Sequence, residues 1–207
     1  MKAQTKETQQ ALSPQAALEI LKEGNARFVN KKQVNRDLLQ QVNETSGGQY
    51  PFTAILSCID SRVPVEIVFD QGIGDVFSAR VAGNIANEDL LGSIEYACKA
   101  AGSKLIVVLG HTGCGAVKGA CDDVQFGNLT GLLDKIKPAV DGVQGFEDRS
   151  SANADFVQQV VEKNVALTLT NVREKSPVLK EMLDAGNIAL VGAVYDVSSG
   201  KVDFWEA

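Results

Sequence analysis

Four apolar runs along the chain have the length and β-branched content of strands: 52–58, 75–81, 104–110 and 188–197. The third is apolar almost throughout, which suits the centre of a parallel sheet, buried on both faces. Helical patterns lie between them. Ser13 and Pro14 supply a cap and a first turn, and Leu18, Leu21 and Phe28 then recur at helical spacing to about residue 29. Pro64 precedes a short helix over 65–69. Asn87 caps a helix that runs to about 101 and stops at Gly102. The stretches 130–140 and 155–174 read as helices, and Ser176-Pro177 opens one more, ended by Gly186. Ser199-Gly200 then turns the chain back into a last strand over 201–205.

Strands alternating with helices imply a parallel sheet with right-handed crossovers. The expected class is therefore α/β: a central parallel β-sheet with an added antiparallel edge strand, flanked by helices, with an N-terminal helical arm at about 13–30. The polar segment 31–49 joins arm to core. The arm packs either on a neighbouring subunit or on its own core, and the pattern leaves both open. A length of 207 residues is expected to form one domain over 1–207.

Composition narrows the partners. The apolar fraction is 44%, as in globular chains, and the net charge is −6 with no long basic run, which argues against duplex nucleic acid. No apolar stretch approaches a membrane span. The first seven residues lack the apolar core of a signal peptide. A form already stripped of its signal would read the same, so a cytoplasmic location is the expectation and a processed periplasmic one the alternative. Four cysteines do not make a disulfide scaffold. Cys98, in an apolar helical stretch, reads as a small hydrophobe. A Cys98–Cys121 bridge is the alternative in an oxidising compartment.

The chemistry concentrates at two strand ends. Cys58-Ile59-Asp60-Ser61-Arg62 follows the first strand, and the only histidine, His111, follows the third, with Cys114 three residues on. Two sulfurs, an imidazole and a carboxylate are a ligand set that zinc prefers. Sites in such sheets form at carboxyl ends of strands, where the strand order switches. Cys58, His111 and Cys114 supply three ligands and leave a fourth position for water. Asp60 either takes that position or stands beside it, and Arg62 can hold it in a forked pair. A structural zinc is the alternative, disfavoured because a second Cys-x-x-Cys is missing. The glycines at 110, 113, 115 and 119 miss the dinucleotide fingerprint, as do Gly72 and Gly74, and are read as clearing space around the metal.

These residues resemble the β-class carbonic anhydrases. The family pattern Cys-x-Asp-x-Arg followed by His-x-x-Cys is met by Cys58, Asp60, Arg62, His111 and Cys114. The likeness extends through Ala79-Arg80-Val81-Ala82-Gly83-Asn84 and Gly92-Ser93-Ile94-Glu95-Tyr96, and covers about positions 50 to 120. It implies a Zn(2+) enzyme that interconverts carbon dioxide and bicarbonate, a homo-oligomer (dimer or tetramer) with its site at a subunit interface, and neither nucleic acid nor membrane as partner. It implies a catalytic dyad of Asp60 and Arg62, the carboxylate orienting the attacking hydroxide. Gln49, nine positions before Cys58, matches a substrate-orienting glutamine, while Phe77, Ala82 and Tyr96 match pocket-lining positions; Gly115 is a further substrate-binding candidate, because backbone N–H groups near it can hold a small anion. In part of the family a tryptophan three positions before the first cysteine joins an arginine and a tyrosine in an inhibitory bicarbonate pocket. Here that position is Ile55, with Arg80 and Tyr195 matching the other two. The rivals are hydrolysis of carbonyl sulfide or carbon disulfide on the same ligands, a non-enzymatic zinc or bicarbonate module, and a nucleotide-dependent oxidoreductase.

Overall fold

The computed structural model describes residues 2–206. Five strands form one sheet in the order β2-β1-β3-β4-β5: β1 (Thr53–Ser57), β2 (Val76–Arg80), β3 (Leu105–His111), β4 (Ala189–Tyr195) and β5 (Val202–Glu206). The first four are mutually parallel, and β5 runs antiparallel to β4 at the edge. The order switches between β1 and β3, because the chain leaves β1 toward one side and returns to the other. Ser57 pairs with Leu109 in that ladder, so the two central strands end close together.

Each face carries its own core. On one, Leu56, Ile106, Val108 and Leu190 meet the long helix α9 (Ala154–Lys175) and its neighbours. On the other, Ile55, Leu105, Val107 and Val191 meet α2 (Pro14–Val29) and the short α4 (Val65–Val68). Every residue of β1 and β3 is buried, as expected for strands covered on both sides.

The arm helix α2 packs on its own sheet. Ser13 accepts from the Ala16 amide, and Ala17, Leu18 and Leu21 face the core. A Cβ on Gly24 would lie 1.9 Å from the Phe69 carbonyl oxygen, so the helix backbone touches the turn after α4. Asn25 donates to the Val68 and Gly200 carbonyls and accepts from the Val202 amide.

Three stretches differ from the sequence pattern. The segment 31–49 contains a helix, α3 (Leu38–Thr45), capped by Asp37; Leu38, Leu39 and Val42 are exposed, so no buried apolar stripe announced it. A first helix, α1 (Lys6–Ala11), is anchored by a polar residue: buried Gln9 donates to the Pro51 and Ala101 carbonyls. The helix expected over 130–140 is two, α7 (Gly127–Leu133) and α8 (Lys137–Gly142), because Pro138 has no N–H to bond back to residue 134.

The remaining elements follow the pattern. Asn87 caps α5 (Glu88–Glu95), which continues as a π-turn over Tyr96–Ala100 and stops at Gly102, φ +84°. After β3 come α6 (Gly115–Cys121) and, following α9, α10 (Pro177–Asp184) capped by Ser176. No helix among the described residues is long and apolar enough to cross a membrane.

Candidate metal centre

Cys58 is the first residue past β1, and His111 the last of β3, on adjacent parallel strands. Gly113, at φ +64°, reverses the chain so that Cys114, capping α6, returns beside them. The three candidate ligand atoms lie within 4.8 Å of one another, and all three residues are buried. The two sulfurs are 4.0 Å apart. Thiolates about 2.3 Å from a tetrahedral zinc would stand about 3.8 Å apart, so the pair is already at metal spacing. His111 Nδ1 lies 3.0 Å from the Thr112 carbonyl oxygen. That contact requires the proton on Nδ1 and leaves the Nε2 lone pair free to coordinate. Nε2 is buried and without a hydrogen-bond partner. A buried orphan acceptor beside two thiols is costly in a finished protein core and natural in a metal site. The donor set fits zinc.

The Cys58 thiol is held far below its ordinary pKa, first by the hydrogen bond with Cys114 and then by His111 and the Gly83 and Asp60 backbones. Cys114, the other half of the sulfur pair, is pushed up. The Gly83 amide donates to Cys58 Sγ at 3.3 Å.

Asp60 stands at the mouth of this cluster, its Oδ2 3.8 Å from His111 Nε2. Both its oxygens are engaged by Arg62: Nε to Oδ1 at 2.9 Å, Nη2 to Oδ2 at 2.7 Å, with the Arg62 amide also on Oδ1. That fork holds the carboxyl well below the usual carboxylate range. Arg80, at the end of β2, donates to the Cys58 and Asp60 carbonyl oxygens at 2.9 and 2.6 Å. It thereby clamps the loop that carries both side chains. This clamp is not legible in the sequence, because backbone carbonyl acceptors leave no trace there. The Gly83 amide escaped for the same reason.

The other site candidates divide. Phe77 and Tyr96 meet edge to face, with ring centroids 6.2 Å apart, and line a groove of about 740 Å³ along the open edge of β2. Tyr96 is 58% exposed there. Ala82 opens the tight turn 82–84 that brings Gly83 to Cys58. Gly115 is exposed at the start of α6. Gln49 is not brought to the cluster. It is exposed beside Thr45 and Gly74 at the amino end of β1, and the five residues of that strand span about 17 Å. Two glycines also have a different reason from the one expected. A Cβ on Gly110 would lie 2.7 Å from Val165 Cγ2, and one on Gly119 3.2 Å from Leu133 Cδ1. Both therefore serve helix packing and not space around the metal. Cys98 and Cys121 are free thiols; burial pushes Cys98 up to about 12.

Comparison with known proteins agrees with this geometry. A family model described as carbonic anhydrase matches residues 53–202. Carbonic anhydrase 2 of Mycobacterium tuberculosis is 38% identical over 197 residues, covering 91% of this chain and 91% of that protein. A carbonic anhydrase of Mycolicibacterium smegmatis is 35% identical, covering 92% and 93%. Among solved structures, the β-carbonic anhydrase CafA of Aspergillus fumigatus superposes with a TM-score of 0.69 at 26% identity, covering 92% of this chain and 89% of that one. A tetrameric β-carbonic anhydrase from Sordaria macrospora gives 0.69 at 24% identity, covering 81% and 90%, a likeness of fold.

Proposed function

We propose that this chain, which belongs to the β-carbonic anhydrase family and is a carbonate dehydratase, runs the zinc-dependent hydration of carbon dioxide through an Asp60–Arg62 dyad. The observation that carries the reading is the buried, partnerless Nε2 of His111 beside two thiols at metal spacing. Cys58, His111 and Cys114 would hold the ion. Zinc, when bound, supplies a Lewis acid that lowers the pKa of water to about 7, so that hydroxide is available as a nucleophile near neutral pH.

The protein's own groups do the rest. An ionised carboxylate can only accept hydrogen bonds. Asp60 therefore accepts a hydrogen bond from the nucleophile and so turns its lone pair toward the substrate carbon. Arg62 keeps Asp60 in that posture and out of the fourth ligand position. Phe77, Ala82 and Tyr96 offer apolar surface against which carbon dioxide sits without competing water. Gln49 is too far from the metal within one protomer, so its contribution, an N–H donor to the substrate oxygen that gains charge, comes from a second copy of the chain. The exposed Leu38, Leu39 and Val42 support a homo-oligomer. The two cores lie on the two faces of one sheet, which supports reading 1–207 as one domain.

Stopped-flow hydration of carbon dioxide tests the reading. The purified protein should accelerate hydration, lose that acceleration after exhaustive chelation, and regain it with one equivalent of zinc. Hydration no faster than buffer for the zinc-loaded protein would refute it.

A further inference from the structure

Helix α9 buries Val160, Val161, Val165 and Leu169 against the sheet, yet sets Asn164 among them, 2% exposed. Asparagine is a poor helix former, and its amide is expensive to bury without partners. Its partner is specific: Nδ2 donates to the Gly83 carbonyl oxygen at 2.7 Å. Gly83 in turn donates its own N–H to Cys58 Sγ at 3.3 Å. We propose that Asn164 is a positioning residue for the metal centre, acting through Gly83 on the Cys58 sulfur.

The turn needs such a hold. Gly83 and Asn84 both take positive φ, +70° and +44°, a conformation that costs an asparagine more than a glycine. A side chain at 83 would be strained by the positive φ and would force Ile136 to shift, because its Cβ would lie 2.5 Å from Ile136 Cδ1. The turn makes a bond of its own from the Asn84 amide to the Val81 carbonyl, and the Gly83 carbonyl is left for Asn164. Without Asn164 a buried carbonyl loses its donor, and the turn gains freedom to swing the Gly83 amide off the sulfur. An amide that donates to a thiolate draws off some of its charge and fixes the direction of its lone pairs. Groups in this position around a metal typically alter affinity or activity about 10- to 100-fold. Asn164 would thus act on zinc retention and on the electronics of the Cys58 sulfur, with no contact to substrate.

The inference rests on Cys58 being a zinc ligand, and its test reads the metal, not turnover. Asn164→Leu and Asn164→Ala both remove the donor, and the alanine variant carries the experiment if leucine does not fold. Thr168→Val, on the next turn of α9 and as buried as Asn164, is the control. Zinc release to a chromogenic chelator should be about tenfold faster or more in the Asn164 variants and unchanged in the control. In cobalt-substituted protein the thiolate-to-metal charge-transfer band should shift in the Asn164 variants alone. A folded Asn164 variant with wild-type release rate and wild-type band would overturn the proposal, as would an equal change in Thr168→Val. Zinc-loaded wild type that binds metal but hydrates no carbon dioxide would sink the functional reading and leave this one standing.

Discussion

Arg62 grips Asp60 with the Nε–Nη2 edge of its guanidinium and with its backbone amide, while the carboxylate faces His111 Nε2 across 3.8 Å. One carboxylate is thus shared between an arginine that restrains it and a ligand position that would otherwise attract it. Arg62→Ala is expected to leave zinc bound, since no ligand is touched, and to lower hydration by about 100-fold through misplacement of Asp60. Zinc content by elemental analysis and initial rates by stopped flow read the two effects separately. Unchanged hydration would remove Arg62 from the mechanism.

The sole histidine is fully buried, with Nδ1 committed to the Thr112 carbonyl and Nε2 directed at the metal site. No second imidazole exists to carry protons to solvent near neutral pH. Turnover is therefore expected to rise with the concentration of an imidazole-type buffer at constant pH and ionic strength. A rate that is flat from dilute to concentrated buffer would reveal an internal shuttle.

Ile55 is buried in the apolar face of the sheet, and Arg80 donates from Nε and Nη2 to the Cys58 and Asp60 carbonyls. Tyr195 is buried at the end of β4. No indole N–H stands at position 55 to help desolvate an anion. Bicarbonate is expected to inhibit weakly and without cooperativity in initial-rate assays. Cooperative inhibition that Tyr195→Phe abolishes would contradict this.

Asp196 shapes the turn from β4 to β5, accepting from the Ser198 amide and from the Ser198 and Ser199 hydroxyls. Ser199 first, then Ser198, lowers its pKa to about 2, below the value of about 3.9 in an unfolded chain. A lowered pKa stabilises the fold above the unfolded value, and the gain disappears as pH falls through the folded one. Solvent screening keeps the gain to no more than about 1 kcal/mol. The stability difference between wild type and Asp196→Asn, from urea titrations, should be constant from pH 7 to about 4 and shrink between about 4 and 2. A difference that persists unchanged at pH 2 would mean that the carboxylate charge is not its source.

Gly24→Ala would press a methyl into the Phe69 carbonyl, where a Cβ falls 1.9 Å from the oxygen. Overpacking of this kind costs about 1–3 kcal/mol, and the contact is with backbone, so the upper part of the range is expected. Denaturant midpoints measure it; a midpoint equal to wild type would show that α2 can lift away freely.

The sequence by itself determined the alternation of strands and helices, the antiparallel last strand and the trio of candidate metal ligands that the fold brings together. Those follow from local periodicity, from caps such as Ser13, Asn87 and Ser176, and from scarce residue types at strand ends. The helices α1 and α3 were hidden because polar anchors hold them: Gln9 to two carbonyls, and the buried Gln41 to the Ile73 amide. The break at Pro138 is legible in its missing N–H, which interrupts the helical stretch 130–140. Only the tertiary structure decided how the centre is supported. The Arg80 clamp, the Gly83 amide on Cys58 and the Asn164 bond all run to backbone groups, which are chemically alike at every position of a sequence. Gln49 shows the opposite limit. It lies nine positions before Cys58 in the chain, yet a fully buried strand stands between them in space, so the two do not meet within one protomer.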